Sequence, residues 1–333
     1  MGKIRIAQIG TSQNSHGSDI WNTLKIMLDV FEMVGYAFPE NEREKFPIRA
    51  KDFDGYREMS VEEILSDPSI DAVLVETEEI YLTKYALMVA RAGKHLHMEK
   101  PGGVDIDEFR ELVCIMKEKR LVFSLGYMYR FNPKIREVLE RVKSGELGKI
   151  FSVEAHMSCK HPKAMREWLS SFPGGMMFFL GCHLVDLIYQ IKGEPTEVIP
   201  LSCSSGIDGL NTSDIGMAVF KYPDGVSFAK ASDNELGGFM RRRLVICGEK
   251  KTIEICPLEV QISNDSQYAA YRECSSADWC AEGELQKSEV HHRYLPMMQN
   301  FAELICGKEN PYTYDYELRL YELILRSCGC AEV

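Results

Sequence analysis

Ala92-Gly93-Lys94-His95-Leu96-His97-Met98-Glu99-Lys100-Pro101 carries a helix end at Gly93, a short strand, and an acid, a lysine and a proline where that strand stops. A lysine at the carboxyl end of a parallel strand stands where open α/β sheets place their ligands, which makes it a candidate acid/base group. Taken alone, the tripeptide reads equally well as a solvated Glu–Lys pair. The flanking sequence has to separate the two.

Upstream, Tyr81 to Arg91 has helical periodicity, and Ala72-Val73-Leu74-Val75-Glu76-Thr77 is a strand largely apolar on both faces, as parallel sheets require. Ser60 and Glu63 have the spacing of a capping box, so a short helix is expected there. Ile4 to Ile9 runs into Gly10-Thr11-Ser12-Gln13-Asn14-Ser15-His16-Gly17, after which Ile20, Trp21, Leu24, Met27 and Leu28 recur at helical spacing. Strand, glycine-containing turn and helix open a dinucleotide-binding unit, whose helix N-terminus offers amides to a pyrophosphate. The match to G-x-G-x-x-G is incomplete, with Ser12 and Ser15 in the second and third glycine places. Either the hydroxyls of Thr11, Ser12 and Ser15 bind phosphate, or the serines cap the helix of a polar turn. The strand Phe31 to Phe38 leads to Glu40, which either holds an adenosine ribose and weakly favours NAD over NADP, or begins a solvated helix with Glu42 and Glu44. Downstream, Asp105 to Lys119 reads as helix and Leu121 to Gly126 as strand. This alternation predicts a doubly wound parallel sheet.

A chain of 333 residues that is 45% hydrophobic suggests two domains, 1–126 and 127–333. The formal charge of -11 argues against a nucleic-acid or anionic-membrane partner, and Arg241-Arg242-Arg243 reads as a solvated strand edge. Eleven cysteines without paired or zinc-site spacing suggest a reducing cytoplasm, mostly small buried apolar roles, and no metal site. No apolar run approaches the ~20 residues needed to span a bilayer.

The second half changes character. Asn132 to Ser144 is an amphipathic helix. Strands are expected over 151–157, 196–202, 215–222, 226–231, 243–247 and 252–255, separated by hairpin turn signals, with loops and short strands from Asn264 to Glu289. Helices over 294–305 and 315–327 close the chain. Between strands lie His161 and Trp168, suited to sugar hydroxyls and a sugar C–H face.

Ile70-Asp71-Ala72-Val73, Gly93-Lys94-His95, Glu99-Lys100-Pro101, Tyr129-Arg130-Phe131-Asn132-Pro133 and Gly145 to Ile150 together resemble the Gfo/Idh/MocA oxidoreductases. The resemblance implies an α/β fold in which an N-terminal Rossmann domain precedes a C-terminal α+β domain with an open, mostly antiparallel sheet. It also implies hydride transfer between NAD or NADP and a sugar or polyol carbon, and a homodimer or homotetramer. Lys100 falls on the family's catalytic lysine and Glu99 on a residue near the cofactor. Gly10, Thr11, Ser12, Ser15 and His16 fall in the phosphate loop, and Thr77 on the nicotinamide shelf. In Pro173 to Leu187, His183 matches the catalytic histidine and Asp186 the acid after it, placed at i, i+3 to orient its ring. Arg130, His161, Trp168 and His183 are the candidate substrate contacts. Three departures stand out: Phe179 at the catalytic aspartate, Glu79 at an asparagine beside the nicotinamide, and Ser12 in the loop. They keep open a non-redox binding protein of the same fold and an NAD-assisted lyase or glycosidase.

Overall fold

The computed structural model describes residues 2–330. The chain divides into two compact units, Met1–Met128 with Tyr294–Tyr321, and Tyr129–Arg293 with Glu322–Val333. One boundary at 126/127 is what the sequence suggests. The chain in fact crosses between units at 128/129, 293/294 and 321/322, and the return of 294–321 to the first unit has no local sequence marker.

In the first unit, β1 (Ile4–Ile9), α1 (Gly17–Lys25), β2 (Phe31–Ala37), two short helical turns α2 (Glu42–Lys45) and α3 (Pro47–Ala50), α4 (Val61–Ser66), β3 (Ala72–Val75), α5 (Leu82–Arg91), β4 (His95–Met98), α6 (Ile106–Glu118) and β5 (Phe123–Leu125) follow in order. The strands form one all-parallel sheet in the order β2-β1-β3-β4-β5. All four residues of β3 are buried, as a strand covered on both faces must be. The capping box forms, Ser60 accepting from the Glu63 amide and Glu63 from the Ser60 amide. Gly93, at φ 76°, ends α5 in the left-handed region that glycine enters without cost.

The second unit contains α7 (Pro133–Lys143), β6 (Ile150–Ser158), α8 (Lys163–Leu169), a π-helical turn over Met177–Gly181, α9 (Cys182–Lys192), β7 (Glu197–Pro200), β8 (Ile215–Tyr222), β9 (Gly225–Ser232), β10 (Arg243–Gly248), β11 (Thr252–Ile255), β12 (Val260–Gln261), β13 (Ser266–Tyr268), β14 (Ala270–Cys274), β15 (Gln286–Lys287) and β16 (His291–His292). Eight strands make a sheet in the order β15-β14-β11-β10-β6-β9-β8-β7, antiparallel throughout except for the β6–β9 pair. In a separate three-stranded sheet, β12-β13-β16, only β13 falls within the short strands expected from Asn264 to Glu289. The chain closes with α10 (Leu295–Ile305) and α11 (Tyr314–Ser327).

Two expectations need correction here. Arg242 is buried, and its guanidinium lies 2.7 Å from the buried carboxylate of Glu259, which also accepts from the Tyr129 hydroxyl at 2.6 Å. The chain turns inward at this residue because that buried carboxylate requires a cation. The cysteines are not mostly buried: only Cys182 and Cys328 are, while Cys114, Cys203, Cys280 and Cys306 are exposed. Among the described residues, no helix is long and apolar enough to cross a membrane.

Candidate active site

The carboxyl ends of β1, β3 and β4 gather the first unit's candidate site residues. Gly10 follows β1 at φ 86°, and a Cβ there would stand 2.3 Å from the Thr77 methyl, so only glycine admits the close approach of the two loops. The loop then hydrogen-bonds internally. The Ser12 amide donates to Ser15 Oγ at 3.0 Å, and the Ser15 amide donates to Ser12 Oγ at 2.9 Å. The Thr11 amide donates to Glu42 Oε2 at 3.2 Å.

Glu42 is therefore not the solvated residue that its charged surroundings suggest. It is fully buried against the glycine loop, and burial, assisted by Glu78, pushes its carboxyl up to about 9. Glu40, after the end of β2, has φ 60°, and its Oε1 accepts from Lys84 Nζ and the Tyr85 hydroxyl.

At the end of β4, Glu99 ties strand to loop. Its Oε2 lies 2.8 Å from His16 Nδ1 and accepts from the His16 amide at 3.0 Å, while Oε1 accepts from the Lys100 amide at 2.8 Å. Burial opposes ionisation, but the His16 ring and Lys100 outweigh it and hold this carboxyl far below the usual range. Lys100 is 1% exposed, and the Lys100–Pro101 peptide is cis. Two further acids end the β3 segment. Burial, reinforced by the charges of Glu99 and Glu79, raises Glu76 well above the carboxylate range. Burial raises Glu79 to about 8, with Lys100 opposing. Both carboxyl oxygens of Glu79 are buried without a hydrogen-bond partner. His97 Nε2 lies 3.8 Å from Glu76 Oε1, and burial lowers this imidazole to about 4, so it is neutral at pH 7.

This surround fits a dinucleotide under one condition. The orphaned oxygens of Glu79 call for hydrogen-bond donors, which a carboxamide and ribose hydroxyls offer. A pyrophosphate offers only acceptors, and it is tolerated beside Thr11 when Glu42 is protonated, as burial keeps it.

In the second unit, α9 begins one residue before His183, which is 3% exposed and meets the Tyr129 ring edge-on at a centroid distance of 5.1 Å. Asp186, expected to orient His183, accepts from Arg130 Nε at 3.0 Å and Nη2 at 2.9 Å, and from Gln190 at 2.9 Å. Arg130 is thus anchored to α9 through a buried pair. Phe179 lies in the π-helical turn, edge-on to Trp168 at 5.5 Å, and Trp168 also meets Phe172. His161 Nε2 lies 3.1 Å from Cys159 Sγ, and burial lowers the imidazole to about 4. Sequence reasoning assigned no site role to Glu76, His97 or Asp233. Asp233 is buried, without a partner for either carboxyl oxygen, and burial, with Asp214 nearby, raises it to about 6. A signal existed for Glu76, a charge ending an otherwise apolar strand run.

Comparison with known proteins agrees with this architecture. Residues 4–127 match a model described as an oxidoreductase family with an NAD-binding Rossmann fold, and residues 135–254 match a GFO/IDH/MocA C-terminal domain. A 1,5-anhydro-D-fructose reductase of Ensifer adhaerens is 26% identical over 171 residues, 50% of this chain and 51% of the relative. A trans-1,2-dihydrobenzene-1,2-diol dehydrogenase of Bos taurus is 24% identical over 205 residues, 56% of this chain and 59% of the relative. The alignments thus span only about half the length of these curated relatives. An oxidoreductase of Thermotoga maritima superimposes with a TM-score of 0.78 at 19% identity, covering 99% of this chain and 97% of that one. A 3-ketoreductase of Actinomadura kijaniata, solved with NADP and TDP-benzene, gives 0.78 at 17% identity, covering 97% and 96%. At such identities the structural likeness concerns the fold alone.

Proposed function

Because the chain belongs to the Gfo/Idh/MocA oxidoreductase family, we propose that it is a nicotinamide-dependent dehydrogenase or reductase acting on a sugar, polyol or related carbinol carbon. The observation that carries this reading is the end of β4, where buried Lys100 follows a Glu99 held by the His16 ring and loop amide at the carboxyl edge of a doubly wound sheet. A bound nicotinamide would supply the hydride acceptor or donor. Lys100 is assigned the hydroxyl proton in the first unit. His183, on α9 of the second, is assigned to share or relay it. Arg130, His161 and Trp168 are the proposed substrate contacts, with Asp186 positioning Arg130. NAD is favoured over NADP, because Glu40 sets a carboxylate after β2 that would repel a 2'-phosphate. A homodimer or homotetramer is the proposed assembly.

Fluorescence titration with NADH and NADPH tests the cofactor, and a sugar and polyol panel the substrate. NADH is expected to bind more tightly than NADPH. Lys100→Met should lower kcat at least ~100-fold while leaving the NADH Kd nearly unchanged. A second reading, a ligand-binding protein without redox chemistry, draws on the Thr11 amide being taken by Glu42 and on the aromatic setting of Phe179. Failure of both dinucleotides to bind would decide for it.

A further inference from the structure

We propose that Glu79 sets the redox-state preference of the cofactor site, its buried carboxyl group favouring the oxidised, cationic nicotinamide over the reduced, neutral one. The inference rests on the dehydrogenase reading above and deepens it. In a doubly wound sheet the dinucleotide crosses at the point where strand order reverses, here between β1 and β3. The pyrophosphate belongs at the loop before α1 and the adenosine half on the β2 side. The nicotinamide half therefore belongs over the ends of β3 and β4.

Those ends carry an excess of acid. Glu76 ends the β3 segment, Glu79 follows three residues later, and Glu99 ends β4, against the single cation Lys100 and the rings of His16 and His97. Glu99 is committed to the His16 ring and amide and to the Lys100 amide. Glu76 is pressed towards its neutral form by burial and by Glu99. Glu76 and Glu79 both have their two carboxyl oxygens buried without a hydrogen-bond partner. After burial, however, the acids Glu99 and Glu79 weigh first on Glu76, whereas the cation Lys100 weighs first on Glu79, which is therefore the acid that a cationic ring can ionise. The titratable groups that act on Glu79 are Lys100, Glu99, Glu78 and its buried neighbour Glu76. A neutral ligand leaves such an acid protonated. A cationic ring beside it draws the proton off and is stabilised by the resulting carboxylate. Binding of the oxidised cofactor is thus coupled to proton release, and binding of the reduced cofactor is not.

Isothermal titration calorimetry with NAD+ and NADH between pH 6.5 and 9, in buffers of different ionisation enthalpy, tests the proposal. Burial holds the free Glu79 carboxyl near 8. Affinity for NAD+ should therefore rise with pH up to that value and level off above it, the Kd ratio of NADH to NAD+ increasing in total about tenfold for each unit by which the cation lowers the carboxyl. Glu42 faces the pyrophosphate common to both forms, so its titration cancels in the ratio. In Glu79→Gln the ratio should be independent of pH and displaced towards NADH, while Glu79→Asp should retain the trend. Should the glutamine variant not fold, proton release by the native protein on NAD+ alone still decides. A native ratio that does not change with pH, or a trend surviving in Glu79→Gln, overturns the proposal and leaves the dehydrogenase reading standing. Failure of both NAD+ and NADH to bind overturns both.

Discussion

Glu42 shows how one buried acid can govern the proposed phosphate loop. With its carboxyl held up at about 9 by burial, it is protonated at pH 7 and shares the Thr11 amide with any anion that approaches. As pH rises through that value the carboxylate forms beside the loop. NADH and NADPH should both bind more weakly above pH 9, and Glu42→Gln should remove this dependence in fluorescence titrations. The same residue affects stability in a predictable direction. An acid whose native value lies above its unfolded value contributes fully below the unfolded value, and that contribution is lost as pH rises towards the native one. Glu42→Gln should therefore match the native protein near pH 4 and exceed its unfolding free energy by roughly 3 kcal/mol at pH 7, measured in urea. An unchanged free energy at pH 7 would refute this account of its burial.

Elements hold together here through caps and through one buried ionic cluster. At α4 the reciprocal bonds of Ser60 and Glu63 satisfy two amides that the helix itself leaves open. Ser60→Ala should cost about 1 kcal/mol by denaturant unfolding. This cap was legible beforehand, because both partners lie three residues apart in the sequence. The cluster was not. Glu259, just before β12, meets Arg242 just before β10, Arg293 after β16 and the Tyr129 hydroxyl, partners far apart along the chain. Glu259→Leu would leave two guanidinium groups facing an apolar side chain. A loss of about 3–5 kcal/mol is expected, well above that at the cap. The same physical reason explains why Arg241-Arg242-Arg243 reads as solvated: a buried counter-charge cannot be seen from the run itself.

At the scale of the molecule, three buried acids of the first unit, Glu42, Glu76 and Glu79, are all raised by burial. Each makes the native state bind protons that the unfolded chain releases. Stability should accordingly fall as pH rises from about 5 towards 9, with a higher Tm at pH 6 than at pH 9 by calorimetry. The elements themselves were largely readable, since periodicity and turn chemistry are local: the parallel strands, the hairpin-rich second half and the two closing helices all fall close to where their patterns put them. The sequence by itself determined this alternation, the lysine at the end of β4 and, through ordered motifs, the family. Only the tertiary structure decided the protonation of Glu42 and Glu79, the commitment of Asp186 to Arg130, and the return of 294–321 to the first unit. Those outcomes depend on desolvation and on partners brought together across many residues, and neither quantity is written in any local stretch of chain.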